Sequence, residues 1–111
     1  MLNGKLTLGE NIADIGGLKL SLAAFRALRA AAPTTDVADG FTEDQQFFIS
    51  YGQTWCAKSR PEYEAMLATV DPHSPPMWRV NGALADTPEF AKAFRCKIGA
   101  KMRPRNACVV W

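Results

Sequence analysis

From Leu8 to Ala31 apolar side chains return every third or fourth residue, at Ile12, Ile15, Leu18, Leu22, Phe25 and Leu28. That is the period of a helix buried along one side, and one long helix is predicted over this stretch. Gly16 and Gly17 lie inside it, each about 1 kcal/mol less favourable in a helix than Ala, which predicts close approach by another backbone. Pro33, Thr34, Thr35, Asp36, Asp39 and Gly40 then make a polar connection. Thr42 with Gln45 three residues on resembles a capping box. Phe47, Phe48, Tyr51 and Trp55 follow as an aromatic stripe at helical spacing, so a second helix is predicted to about Lys58, its stripe belonging to the core before any function. Pro61 suits the first turn of a third helix through Tyr63, Met66 and Leu67.

The run Asp71-Pro72-His73-Ser74-Pro75-Pro76 cannot be regular structure, because each proline removes a donor and restricts its predecessor. A shaped loop is predicted there, followed by a short extended passage from Trp78 to Leu84. A last helix is expected from Glu89 to about Cys96, capped by Thr87 with Pro88 at its first position. Cys108, Val109, Val110 and Trp111 form an apolar end expected to dock on the core. The pattern as a whole predicts a mainly α fold, with residues 1–111 as a single unit and no internal repeat.

Composition narrows the class without naming a partner. With 111 residues, 48% of them hydrophobic and 22% charged, and a formal charge of +2, the chain has the make-up of an ordinary globular domain. Lys19, Arg26 and Arg29 interrupt the most apolar region, so no transmembrane segment is read, and no secretory signal is visible at the N-terminus. After Glu89 come Lys92, Arg95, Lys97, Lys101, Arg103 and Arg105 with no acidic side chain to the end. This tail lacks the interleaved aromatics and groove-reading motifs of nucleic-acid binders, and reads as solvated surface. Cys56, Cys96 and Cys108 contain no C-x-x-C pair and are odd in number. They are either buried thiols of a cytosolic domain or, in an exported protein, partners of cysteines elsewhere or a free thiol.

The chemistry starts with Glu10 and Asp14, four apart near the start of the long helix and therefore on one face. Such a pair can serve a metal: catalytic zinc accepts a carboxylate beside imidazoles, keeping three protein ligands plus a water, and the second carboxylate can orient a histidine ligand. Acidic residues near a helix N-terminus are equally favoured by the macrodipole alone. His73, the single histidine of the sequence, has a similar bland reading as a structural loop residue.

The string Asn3-Gly4-Lys5-Leu6-Thr7-Leu8-Gly9-Glu10-Asn11-Ile12-Ala13-Asp14-Ile15-Gly16-Gly17-Leu18 resembles the signature region of the neprilysin family of zinc metallopeptidases. Val70-Asp71-Pro72-His73-Ser74-Pro75 and Arg79-Val80-Asn81-Gly82 resemble its second hallmark. Trp55-Cys56, Arg60-Pro61-Glu62-Tyr63, Ala93-Phe94-Arg95-Cys96 and the ending Cys108-Val109-Val110-Trp111 fit in the same order, and only Ala30 to Asp39 fits weakly. The resemblance implies that Glu10 is the third zinc ligand and that Asp14 supports a zinc-bound histidine. It implies that His73 stabilises the tetrahedral intermediate, that Arg79 binds the peptide carbonyl, and that Trp55 lines the pocket for the residue after the scissile bond. It further implies the helical C-terminal portion of a thermolysin-like catalytic domain, peptide substrates, an extracytoplasmic location, and disulfide positions at the cysteines.

One departure bears on activity. The family's zinc site also needs H-E-x-x-H, two histidine ligands and a glutamate base, which a chain with one histidine cannot contain. The expectation is a fragment of a larger metalloendopeptidase, with Met1 an artificial or misassigned start, inactive alone and needing two histidine ligands for its Zn from outside. A non-catalytic helical module of the same family that binds peptides or a partner chain is the alternative: loss of the upstream half would uncover apolar faces that drive such binding or self-association.

Overall fold

The computed structural model describes residues 2–34 and 38–110, and within them the chain is mainly α-helical. The helices are α1 (Gly4–Ala31), α2 (Glu43–Thr54), α3 (Pro61–Val70), α4 (Pro76–Ala85) and α5 (Pro88–Ala93). Helix α1 starts four residues earlier than its apolar period predicts, because Asn3 caps it: the side chain accepts from the amides of Lys5 and Leu6 at 3.2 and 3.3 Å. Thr42 and Gln45 form the expected reciprocal capping box at α2. That helix ends at Thr54 with Trp55 as its C-cap, short of Lys58.

The extended passage expected from Trp78 to Leu84 is helical instead. Pro75 stands at the N-cap of α4 and Pro76 at its first position, where a missing N–H costs nothing. The prolines therefore mark the start of a helix as well as the end of a loop, and Ala83 with Leu84 turns the buried face inward. Thr87 occupies the N-cap of α5 but does not cap it; its hydroxyl donates to the Ala83 carbonyl at 2.7 Å. Helix α5 stops at Ala93 rather than Cys96. Arg95 adopts a left-handed φ of 54°, and the Cys96 amide reaches back to the Ala91 carbonyl at 2.8 Å, a bond of the Schellman type.

Helix α1 packs on α4, and α5 packs on both α2 and α4. Leu18, Leu22, Phe48, Ala83 and Leu84 are buried at the meeting point. A chain of aromatic contacts runs Phe25, Phe47, Phe48, Phe90, Phe94 with ring centroids 4.9 to 5.4 Å apart, joining α1, α2 and α5. The stripe read on α2 is thus largely core. Helix α3 contributes no buried side chain. The radius of gyration, 15.5 Å, exceeds the roughly 13 Å of a compact domain of this length, so the helices enclose a small core and leave broad faces open.

Two packing expectations fail at the positions where the described residues test them, Gly17 and Val109. Gly16 is buried, but a side-chain carbon added at Gly17 would meet nothing within 4 Å, so no backbone approaches it closely within the described residues. The C-terminal end is held by polar contacts: the Cys108 amide donates to Asp86 at 2.8 Å and Lys19 Nζ to the Val110 carbonyl at 3.3 Å, while Val109 is 87% exposed. Trp111 lies outside the described residues, as do Thr35, Asp36 and Val37 of the polar connection.

Candidate functional site

Helix α1 presents Glu10 and Asp14 one turn apart, and the α3–α4 loop with the first turn of α4 lies across them. His73 Nε2 stands 3.3 Å from Glu10 Oε2. On the other side of the ring, Asp71 Oδ1 accepts from the His73 backbone amide at 2.8 Å and faces Nδ1 at 2.7 Å. These two bonds fix the loop backbone and the imidazole plane together, and they hold the Asp71 carboxyl below its ordinary range. The loop read from the prolines is therefore shaped as much by this carboxylate as by the rings.

Arg79 and Asp14 form a two-bond fork, Nε to Oδ2 at 2.7 Å and Nη2 to Oδ1 at 2.6 Å. Their side chains are 16% and 10% exposed, so the pair joins α1 to α4 largely out of water. The Asp14 hydrogen bonds raise the guanidinium further above its ordinary value, against the opposing effect of burial. The guanidinium carbon sits 4.0 Å from the centre of a Trp55 ring, a cation–π contact that ties the end of α2 to the same point. Tyr51 donates to the Arg79 carbonyl at 3.1 Å, and burial, then the Asp14 charge, raises its phenol above the usual range.

Glu10, Asp14, Trp55, His73 and Arg79, separated widely in sequence, thus meet at one place. Three further residues join them without a signal in the local sequence. Ser74, 4% exposed, donates to Asn11 Oδ1 at 2.7 Å; Asn11 Nδ2 donates to Thr7 Oγ1 at 3.4 Å; and Thr7, 1% exposed, donates to the Asn3 carbonyl at 3.4 Å. This chain of bonds runs beside Glu10 on one element and His73 on the other. A cavity of about 500 Å³ opens next to it, bounded by Trp55, Leu67, His73, Pro76, Trp78 and Arg79.

Among the described residues no group of three or more His, Cys, Asp or Glu side chains converges as a metal cage. Glu10, 42% exposed, offers one carboxylate, and with a single histidine in the sequence the three-ligand set of catalytic zinc cannot be completed by this chain. The chain alone does not fit a resident zinc ion. Cys56 and Cys108 are exposed and Cys96 half-buried, all three free thiols in this structure. No helix among the described residues is long and apolar enough to cross a membrane.

The model of peptidase family M13 matches residues 1–110. Neprilysin-1 of Caenorhabditis elegans is 43% identical over 114 residues, and endothelin-converting enzyme 1 of Rattus norvegicus 42% over 112, each alignment covering 99% of this chain. The chain spans about 15% of the length of these relatives. The cryo-EM structure of the Mycobacterium tuberculosis zinc metalloprotease Zmp1 in its open state superposes with a TM-score of 0.82 at 37% identity, over 89% of this chain and 15% of that one.

Proposed function

Because this chain belongs to peptidase family M13, we propose that it supplies one wall of the active site of a zinc metalloendopeptidase that hydrolyses peptide bonds in oligopeptides, and that it is inactive alone. The observation that carries this reading is the meeting of Glu10, Asp14, His73, Arg79 and Trp55, drawn from α1, α2, α4 and the loop before α4. Glu10 would hold the metal together with two imidazoles from outside the chain. Bound there, zinc supplies an acidified water and polarises the scissile carbonyl.

The remaining roles belong to this chain's own side chains. His73 presents Nε2 toward Glu10 while Asp71 anchors Nδ1, an orientation that, in the doubly protonated ring where both nitrogens donate, suits donation from Nε2 to the oxyanion that develops during attack. Arg79 spends Nε and Nη2 on Asp14, which leaves Nη1 to bind the peptide carbonyl. Asp14 accepts both bonds from Arg79, yet a carboxylate has about four acceptor positions, so it can also receive the N–H of a zinc-bound histidine. Trp55 stacks on Arg79 and borders the cavity, in keeping with a wall of the pocket for the residue after the scissile bond. An extracytoplasmic location and disulfides from at least two of Cys56, Cys96 and Cys108 to cysteines outside the chain complete the proposal.

Zinc content and steady-state kinetics of the intact peptidase test it. Glu10→Ala is expected to lose the metal. His73→Ala is expected to keep it and to lose kcat by about 100- to 1000-fold, the range for one oxyanion-hole donor. A zinc-loaded His73→Ala enzyme with undiminished kcat would refute the assignment.

A further inference from the structure

Independently of the peptidase reading, we infer that the turn after α5 is a docking surface for anionic lipid bilayers. Lys92, Arg95, Lys97, Lys101, Arg103 and Arg105 are all exposed. The formal charge of +2 conceals how unevenly charge is distributed. These six cations fall within residues 92–105, and the rest of the chain carries seven cations against eleven acidic groups, a net −4.

Three features set this segment apart from an ordinary solvated charge run. First, it is ordered: the Gly99 amide donates to the Arg103 carbonyl at 2.8 Å, the Arg103 amide to Ala100 at 2.9 Å, and the Ala100 amide to Lys97 at 3.0 Å. Arg103 Nη1 closes the turn onto the Cys96 carbonyl at 2.9 Å, so the cations ride on a closed knot and little ordering entropy remains to be lost on docking. Second, they are not neutralised locally. None of the six forms an ion pair among the described residues, and the acids that precede them are directed elsewhere, Asp86 to the Cys108 amide and Glu89 toward the charge of Arg26. Third, Ile98 stands between Lys97 and Gly99 at 61% exposure. An apolar side chain on a basic turn matches the two layers of a bilayer surface, anionic headgroups and the acyl boundary beneath. Nucleic acids and sulfated glycans offer the charge without the apolar layer.

Sedimentation of the 111-residue chain with vesicles tests this, using phosphatidylcholine alone and phosphatidylcholine with 30% phosphatidylglycerol, at about 0.1 and 0.5 M salt. Binding is expected only to the anionic vesicles and is expected to weaken sharply at high salt. Each basic residue near an anionic surface is worth about fivefold in affinity, so Lys97→Gln with Lys101→Gln should weaken binding about 25-fold. Ile98→Ser should weaken it about fivefold to tenfold through lost apolar burial. These positions are exposed and make no side-chain contact that holds the turn, and circular dichroism checks that the variants stay folded. Equal binding to neutral and anionic vesicles, no binding to either, or variants indistinguishable from the parent sequence would overturn the inference. So would an unaltered affinity in Ile98→Ser, or binding of a DNA duplex or heparin with none to vesicles.

Discussion

The fork between Asp14 and Arg79 makes a quantitative prediction that needs no active enzyme. The pair spans 65 residues of sequence and joins α1 to α4 with two short charge-assisted bonds. Asp14→Asn removes the charge and leaves a mostly buried guanidinium uncompensated. Breaking one partner of a buried pair costs about 3–5 kcal/mol. Arg79 retains its contact with Trp55 and 16% exposure, which brings the expected loss just below that range, to about 2–3 kcal/mol. At roughly 4–8 °C per kcal/mol for a domain of this size, the midpoint of thermal unfolding should fall by about 8 to 24 °C. Replacing both partners by apolar residues, Asp14→Leu with Arg79→Met, should recover much of the loss, because the desolvation penalty disappears with the charges. Urea unfolding of the wild type, Asp14→Leu, Arg79→Met and the double variant closes the cycle, with an expected coupling of about 1.5–3 kcal/mol. The coupling should change little between about 0.1 and 0.5 M salt, since pairs out of water are poorly screened. A coupling below about 0.5 kcal/mol, or one abolished by salt, would mean that the fork is a wet surface contact and that the reasoning from burial fails.

The isolated chain is expected to retain no zinc after dialysis and to leave a fluorogenic peptide uncut; stoichiometric metal or chelator-sensitive turnover would contradict it. Asp71 is held below its ordinary value by its two bonds to His73 and by the charge of Arg79. Its contribution should therefore be complete above the ordinary carboxylate range, near pH 3.9, and be lost as pH falls through the depressed value. Asp71→Asn should flatten that acid limb of the unfolding curve. Ser74→Ala strands the Asn11 acceptor and should cost about 1–3 kcal/mol, and Asn11→Ala with Ser74→Ala combined should cost less than the sum of the two single changes, because the shared bond is lost only once. Exposed Leu8, Leu20, Met66 and Met77, each at least half open to solvent, predict self-association, read as a concentration-dependent mass by light scattering.

How much of this could be read from the chain depended on how local each cause was. The Thr42 to Gln45 capping box, the first-position prolines at 61 and 88 and the 3.6-residue period of α1 act within a turn or two, and each stands where the sequence predicts it. Glu10 and Asp14 share a face for the same reason. Helix α4 was hidden because the same two prolines that end the loop also begin the helix. Thr87 resembled a cap by position, but the Ala83 carbonyl, one turn back on α4, takes its hydroxyl. The Ser74 to Asn11 bond and the stacking of Arg79 on Trp55 join residues 63 and 24 positions apart. No local pattern specifies such meetings; the fold has to make them.

Three successive helices, α3, α4 and α5, open on Pro61, Pro76 and Pro88 without any side-chain cap. Their entry points are written into ring covalency, whereas those of α1 and α2 rest on hydrogen bonds from Asn3 and Thr42. A pyrrolidine ring restricts the unfolded chain as much as the folded one, so part of the entropic cost of starting each helix is removed before folding begins. The C-terminal half should consequently be indifferent to what stands just before each proline. Arg60→Ala and Thr87→Val should leave the helix starts where they are, while Asn3→Ala should fray α1 at the end that carries Glu10.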